Sequence, residues 1–131
     1  MSQIRVGVVG LGRMGLLHTQ MIRRLPDTKL VAVCDPLKQT EDVDTPVVHS
    51  VEDLIAEGID CAVVASPTST HFEVASKLID AQIPLLIEKP MTNASTSARQ
   101  LVDRIKYESL TVAVGYIERC NPALMEMKKR I

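Results

Sequence analysis

The chain has 131 residues, of which 46% are hydrophobic and 2% aromatic, and its 15 basic and 16 acidic side chains give a net charge of −1. A chain of this length is expected to form one domain that buries enough apolar surface to fold without disulfides or a structural metal. The balanced charge and the shortage of aromatic side chains argue against nucleic acid or an anionic membrane as partners, and no apolar run approaches the length that spans a bilayer.

The first 35 residues carry the most informative pattern. An apolar run at 4–9 predicts a strand, and Gly10-Leu11-Gly12-Arg13-Met14-Gly15 follows it directly. A second apolar run, at 30–34, ends at Asp35. The acid stands about 20 residues after the third glycine, which is the spacing of the dinucleotide-binding fingerprint. A strand, a glycine-rich turn, a helix, a second strand and a terminal acid therefore predict a dinucleotide site.

Each glycine of this turn has its own role. Gly10 permits the tight turn, Gly12 lets a pyrophosphate approach the backbone, and Gly15 lets the helix pack closely against the strand. The first helical turn, at Arg13 and Met14, offers free N–H groups and a positive dipole end to the phosphates. A purely structural glycine turn is the alternative, and the complete context disfavours it.

The acid at the end of the second strand selects the cofactor. Asp35 can accept hydrogen bonds from a ribose diol, whereas its carboxylate repels a 2′-phosphate. Pro36 and Leu37 follow it rather than an arginine, so NAD is favoured over NADP, although Lys38 leaves NADP as an alternative.

Apolar strand-like runs alternate with helical patterns along the rest of the chain. Strands are predicted at 47–49, 61–65, 85–87 and 112–114, and residues 36–46 are predicted to form a loop or a single turn. Helices are predicted after Gly12 as far as Pro26, after Ser50 as far as Gly58, after Thr70, around 98–105 and from Asn121.

Two of these helices match capping patterns, Ser50 with Asp53 and Thr70 with Glu73. The apolar positions of the first helix recur at helical spacing, and they are Met14, Leu17, Met21, Ile22 and Leu25. The helix after Thr70 is expected to bury Phe72, Ala75, Leu78 and Ile79.

The predicted strands are short and almost uniformly apolar, which is typical of parallel strands covered on both faces. Repeated strand–helix units with right-handed crossovers predict an α/β fold with a doubly wound parallel sheet. The expected architecture is the Rossmann dinucleotide-binding fold with strand order 3-2-1-4-5-6.

Unusual polar residues collect where the predicted strands end. Ser66-Pro67-Thr68 with His71 follow the fourth strand, Glu88-Lys89-Pro90 follow the fifth, and Gly115-Tyr116 follow the sixth. Parallel strands end at one edge of a sheet, where ligands bind. The candidates for cofactor contact at this edge are Ser66, Pro67, Thr68, His71, Glu88 and Lys89. Lys89 near a nicotinamide could stabilise negative charge developing on a reacting oxygen. The alternative is a solvated lysine at a strand end.

Other residue types suggest no second chemistry. His18 lies on the apolar stripe of the first helix and is expected to be a packed, hydrogen-bonded residue, and His71 could instead cover the start of its own helix. The three histidines show no metal-ligand spacing. Cys34, Cys61 and Cys120 have no paired spacing and are expected to be reduced thiols of a cytoplasmic protein, and the N-terminus shows no signal-peptide pattern.

These motifs together resemble the Gfo/Idh/MocA family, named for glucose–fructose oxidoreductase, inositol dehydrogenase and a rhizopine-catabolism protein. The glycine turn followed by His18, Ser66-Pro67-Thr68 with His71, Glu88-Lys89-Pro90 and Val114-Gly115-Tyr116 carry the resemblance, which covers nearly the whole chain. The ending is most similar to members that act on nucleotide-linked N-acetyl sugars.

The resemblance implies NAD or NADP binding and hydride transfer to or from a sugar-like hydroxyl. It assigns Lys89 as the catalytic lysine and suggests a cis Lys89–Pro90 peptide. It also implies that residues 1–120 are the cofactor domain, that residues 121–131 begin a bridging helix, and that a second domain supplies the substrate site, the acid–base residues and contacts for a homo-oligomer. The segment between Asp35 and Val47 is shorter than in relatives.

Other functions remain open. A nucleotide-binding module without turnover would explain the missing acid–base residues. A methyltransferase that uses S-adenosylmethionine is a third possibility, and its glycine loop usually lacks this spacing. The chain alone is expected to bind NAD but to show little activity, which leaves its status as an enzyme undecided.

Overall fold

A computed structural model describes residues 2–37 and 44–131. The strands are β1 (Ile4–Val9), β2 (Thr28–Cys34), β3 (Val47–Val48), β4 (Cys61–Val64), β5 (Leu85–Ile87) and β6 (Val112–Val114). The α-helices are α1 (Arg13–Arg24), α2 (Val51–Ala56), α3 (His71–Asp80), α4 (Ser95–Glu108) and α5 (Pro122–Arg130), with short 3-10 helices at Thr68–Thr70 and Ile117–Cys120. The predicted loop at 36–46 lies largely outside the described residues.

All strand pairs are parallel, and the sheet has the order β3-β2-β1-β4-β5-β6. The predicted strand order and doubly wound α/β fold are confirmed. β1 lies at the point where the order reverses, so the strand ends on either side of it form the two halves of one crevice. One half contains the end of β2, and the other contains the ends of β4, β5 and β6.

Two apolar cores cover the opposite faces of the sheet. Alternate strand residues such as Val8 and Val33 pack with Ile22 of α1. The strand residues that alternate with these point to the opposite face and pack against α2, α3 and α4. In those helices Leu54, Leu78 and Leu101 are fully buried. Strand residues point alternately to the two faces, so the uniformly apolar strands predicted from the sequence fill both cores.

Helix α1 is less buried than its apolar pattern suggests. Of the stripe residues only Ile22 is buried, at 6% exposure, while Met14, Leu17, Met21 and Leu25 are 38–53% exposed. Among the described residues, α1 is the one helix packed in the core on this face. Leu86 is half-buried there and Ala113 is exposed. The side of α1 turned away from β1 and β2 therefore faces solvent.

The predicted N-terminal caps of α2 and α3 differ in the structure. Ser50 accepts a hydrogen bond from the Asp53 N–H at 3.0 Å, which confirms the predicted cap of α2. Thr70 precedes α3 as predicted, but its side chain makes no cap hydrogen bond. Its hydroxyl instead donates to the Pro67 carbonyl and can accept from the Ser66 hydroxyl, which lies 2.7 Å away. The 3-10 turn before the helix brings these groups close. On α3, Phe72 is half-buried, and Ala75, Leu78 and Ile79 are buried as predicted.

Helix α5 begins where predicted, with Asn121 accepting a hydrogen bond from the Ala123 N–H. None of its residues is buried. It packs chiefly against the 3-10 helix before it, and a hollow of about 840 Å³ lies between the two.

Candidate cofactor-binding site

The glycine turn after β1 has the geometry that its sequence predicts. Gly10 has a φ of +94°, and a Cβ there would lie 2.6 Å from the Ser66 backbone. A Cβ on Gly15 would overlap the Gly10 carbonyl oxygen. A Cβ on Gly12 would meet nothing within 4 Å. The first and third glycines are therefore required by the fold, whereas the second borders open space, as expected for a glycine that a phosphate approaches.

The first turn of α1 faces that space. Gly12 is the N-cap, and no side chain caps the N–H groups that follow it. The first turn contains no acidic residue, and Arg13 and Met14 are exposed. Unpaired N–H groups and the helix dipole favour an anion at this position, so the backbone fits a diphosphate.

Asp35 lies beside the glycine turn and is linked to it. Its Oδ2 accepts a hydrogen bond from the Leu11 N–H at 2.8 Å, and its Oδ1 accepts one from the Leu37 N–H at 2.9 Å. A carboxylate oxygen can accept more than one hydrogen bond. Asp35 therefore keeps capacity for ribose hydroxyls while it orders the loop that faces them.

A cavity of about 410 Å³ opens between the ends of β2 and β4. Asp35 and His49 lie on one side, and Ser66, Pro67 and Thr70 on the other. His49 Nδ1 lies 3.0 Å from the Asp35 carbonyl oxygen. The cavity thus continues the crevice from the glycine turn past the ribose acceptor, as an adenosine moiety requires.

Carboxylates dominate the rim of this cavity. Lys77 bridges Glu52 and Glu73, with Nζ–O distances of 3.0 and 3.3 Å. The hydrogen bond from Lys77 lowers the pKa of Glu52. The hydrogen bonds to Glu52 and Glu73 raise the pKa of Lys77. Since its ammonium is paired with two carboxylates, Lys77 is poorly suited to bind a 2′-phosphate, which agrees with a preference for NAD.

The Cys34 thiol also borders the cavity. It is 4% exposed. Burial first, and then the Asp35 carboxylate, raise the pKa of Cys34 to about 11. The thiol therefore stays protonated and acts as a small apolar side chain beneath the cavity.

On the other side of β1, Lys89 follows β5. Its side chain is exposed and lines a second cavity, of about 340 Å³, with Gly115, Tyr116 and Ile117. Among the residues that the structure describes, its ammonium makes no ion pair. The Lys89–Pro90 peptide is cis, as the resemblance suggested. Lys89 thus places a cation in the half of the crevice opposite Asp35.

Glu88 faces inward, unlike its neighbour Lys89. It is 7% exposed. Its Oε1 lies 2.7 Å from His18 Nε2, and its Oε2 accepts the Lys89 N–H at 3.2 Å. The expectation that His18 is a packed, hydrogen-bonded residue is confirmed. Glu88 anchors the strand end to α1, and its direct contact with a cofactor stays a prediction.

His71 is also buried. Its Nε2 lies 2.9 Å from the Ser66 carbonyl oxygen, and its Nδ1 lies 3.0 Å from the Pro90 carbonyl oxygen. Both ring nitrogens are therefore engaged by the protein. Ser66 and Pro67 line the cavity between β2 and β4, and their contacts with a cofactor, like those of Thr68 and His71, stay predictions.

The predicted site residues do converge on one edge of the sheet. Sequence reasoning missed the acidic rim formed by Glu52 and Glu73, for which the i,i+4 pair Glu73–Lys77 was the available signal. It also missed the contact between His49 and Asp35, which tertiary packing creates across 14 residues.

Comparison with known proteins agrees with this geometry. Residues 4–116 match the sequence profile of the Gfo/Idh/MocA oxidoreductases, described as an oxidoreductase family with an NAD-binding Rossmann fold. The chain belongs to this family. It therefore has the NAD-binding Rossmann domain that the glycine turn and Asp35 predicted.

Curated relatives extend well beyond the matched region. A scyllo-inositol 2-dehydrogenase (NAD(+)) of Bacillus subtilis is 33% identical over 98% of this chain and 40% of its own length. A UDP-N-acetylglucosamine 3-dehydrogenase of Acidithiobacillus ferrooxidans is 31% identical over 98% of this chain and 42% of its own length. The chain thus spans about two-fifths of the length of these relatives.

Solved structures show the same fold. The Acidithiobacillus ferrooxidans UDP-N-acetylglucosamine 3-dehydrogenase superposes with a TM-score of 0.87, at 31% identity, over 99% of this chain and 44% of the other. GenD2 from gentamicin A biosynthesis, in complex with NAD, gives a TM-score of 0.81 at 27% identity, over 88% of this chain and 35% of the other.

Within residues 2–37 and 44–131, no group of three or more His, Cys, Asp or Glu side chains could hold a metal ion. No helix in this part of the chain is long and apolar enough to cross a membrane.

Proposed function

We propose that this chain is the cofactor domain of an oxidoreductase that transfers a hydride between NAD and a hydroxyl-bearing carbon of a sugar, a cyclitol or a nucleotide-linked sugar. The observation that carries the proposal is the position of Lys89. Its side chain lies on the same sheet edge as the glycine turn and Asp35, but across β1 from the ribose acceptor. A nicotinamide is expected in that half of the crevice.

The residues of the site divide the work of binding a dinucleotide. The uncapped start of α1 and the space at Gly12 suit the diphosphate, and Asp35 suits the adenosine ribose. Bound NAD supplies the hydride acceptor or donor. Lys89 would hydrogen-bond the substrate oxygen and stabilise its negative charge as the hydride leaves the adjacent carbon. The hydroxyl proton would pass to an acid–base group that we assign to a second domain.

Substrate class follows from the relatives by analogy. The dehydrogenases matched here are named for inositols and for a UDP-linked N-acetyl sugar. A polyhydroxylated ring is therefore the proposed substrate class. The cavity beside Lys89, which Gly115, Tyr116 and Ile117 also line, would receive the reacting edge of such a ring.

We extend the proposal to domain organisation. Residues 1–120 would form the cofactor domain, and residues 121–131 would begin a bridging helix toward a substrate domain. The fully exposed α5 supports this arrangement. The exposed apolar side chains of α1 support a homo-oligomer or contact with a further domain, and the free cysteines support a cytoplasmic setting.

The second candidate is a protein that binds NAD without turnover. No histidine or aspartate among the residues described lines the Lys89 cavity, and this observation favours the alternative for the chain by itself. It predicts the same affinity for NAD but no role for Lys89 in any reaction.

One experiment separates the two candidates. The 131-residue chain should bind NAD in calorimetry and show little oxidation of sugars or inositols. If the reading frame continues past Ile131, the longer protein should oxidise at least one such substrate, and Lys89→Met should abolish turnover while NAD still binds. Turnover unaffected by Lys89→Met would refute the catalytic role, and turnover by the short chain would refute the need for a second domain.

A further inference from the structure

His71 joins the loop after β4, which lines the cavity beside Asp35, to the turn after β5, which carries Lys89. It is the first residue of α3 and is 1% exposed. Its Nε2 meets the Ser66 carbonyl oxygen, at the end of β4, and its Nδ1 meets the Pro90 carbonyl oxygen, after β5. A single buried ring therefore spans two segments that are separated by 24 residues in sequence but are adjacent at the sheet edge.

The hydrogen bonds have a defined direction. Both partners are carbonyl oxygens, which only accept, so the ring must donate. A neutral ring donates one of the two bonds, and a protonated ring donates both. The donor on Nδ1 holds the segment that carries Lys89, and the donor on Nε2 holds the segment that carries Ser66.

Side-chain hydrogen bonds hold the Lys89 turn in place on both sides. Glu88, just before Lys89, is bound to His18 of α1. Pro90, just after it, is bound to His71 of α3. The Lys89 backbone is thus fixed between helices on opposite faces of the sheet, while its side chain lines the cavity. Neither histidine faces the cavity, so both would act on the ligand through the turn.

We propose that His71 is a positioning residue, which sets the location of Lys89 through the Pro90 carbonyl and couples it to the Ser66 loop. This inference rests on the proposed binding of nicotinamide in the half of the crevice that contains Lys89. The side chain would not touch NAD or substrate.

Two substitutions separate the two bonds. In His71→Asn the side-chain NH₂ occupies the place of Nδ1 and can still donate toward Pro90. In His71→Gln the NH₂ occupies the place of Nε2 and can donate toward Ser66 alone. His49→Gln is the matched control, since His49 contacts the Asp35 carbonyl in the adenosine half.

Calorimetry with NAD and with ADP-ribose, which lacks the nicotinamide, gives the first readout. His71→Gln should lower the ratio of NAD to ADP-ribose affinity by about fivefold, the equivalent of one hydrogen bond. His71→Asn and His49→Gln should keep the wild-type ratio. Equal ratios in all four proteins would overturn the proposal, and equal losses in His71→Asn and His71→Gln would indicate a general packing role instead.

Nuclear magnetic resonance gives a readout that needs neither cofactor binding nor a stable variant. In the unmodified chain, ring ¹H–¹⁵N spectra should show a proton on His71 Nδ1. An unprotonated Nδ1 would refute the inference. Failure of the wild-type chain to bind NAD would count against the proposed function and leave this spectroscopic test intact.

Discussion

The glycine turn permits a prediction in which stability and binding separate. Gly12→Ala and Gly15→Ala each add one methyl group to the same six-residue segment. At Gly15 the new Cβ overlaps the Gly10 carbonyl oxygen and lies 2.8 Å from its carbonyl carbon. At Gly12 it meets nothing within 4 Å, and the φ of −69° is open to any residue.

The magnitudes follow from these contacts. Relief of the clash at Gly15 requires α1 to move away from β1, at a cost of about 3 kcal/mol, from which the better helix propensity of alanine recovers about 1 kcal/mol. The net loss of about 2 kcal/mol should lower the urea midpoint by about 1 M. Gly12→Ala changes only the N-cap, at a cost of about 0.5 kcal/mol. Its methyl group would occupy the diphosphate path and weaken NAD binding at least about tenfold.

Urea unfolding followed by far-ultraviolet circular dichroism measures the first effect, and calorimetric titration with NAD measures the second. Gly12→Ala should be nearly as stable as the wild type but bind poorly. The reasoning would fail if Gly12→Ala bound NAD with wild-type affinity, or if it lost as much stability as Gly15→Ala.

Three further outcomes are expected. Asp35→Ala should weaken NAD binding by about 1–3 kcal/mol through the loss of a charged acceptor, without an equal loss for NADP; calorimetric NAD affinity within twofold of the wild type would exclude the ribose role. In thiol labelling with a chromogenic disulfide at pH 8, the exposed Cys120 should react long before the buried Cys34. The Cys34 pKa of about 11 leaves about one thiolate in a thousand molecules at that pH. Fast labelling of Cys34 would show that β2 opens readily. Sedimentation should show self-association that depends on concentration. Met21→Glu, on the exposed side of α1, should reduce this self-association. A strict monomer at high concentration would argue against an apolar contact surface there.

The fold was largely predictable because its signals are local. Uniformly apolar strands, prolines and glycines at element ends, and the spacing from Gly15 to Asp35 predict the elements and the dinucleotide-binding fold, and the strand order follows from that fold. The exposure of α1 was not predictable from its periodicity. Met21 and Leu25 recur at helical spacing, and that pattern specifies a shared face without specifying what covers it.

The candidate site was likewise predictable only in part from the sequence. The identity of the residues at each strand end could be read from the sequence, since parallel strands bring their carboxyl ends to one edge. The direction of each side chain could not. Glu88 and Lys89 are adjacent in sequence, yet one is bound to His18 inside the domain and the other reaches into a cavity. His71 and Thr70 likewise use their polar atoms on neighbouring carbonyls, which only the folded backbone brings within reach.

The two backbone N–H groups that hold the Asp35 carboxylate have a kinetic consequence. Its rotamer is fixed by Leu11 and Leu37, so an arriving ribose meets a pre-organised acceptor and binding loses little side-chain entropy. Association of NAD analogues should then proceed at similar rates whatever their ribose substituents. Discrimination among 2′- and 3′-modified riboses should appear as differences in how long each stays bound.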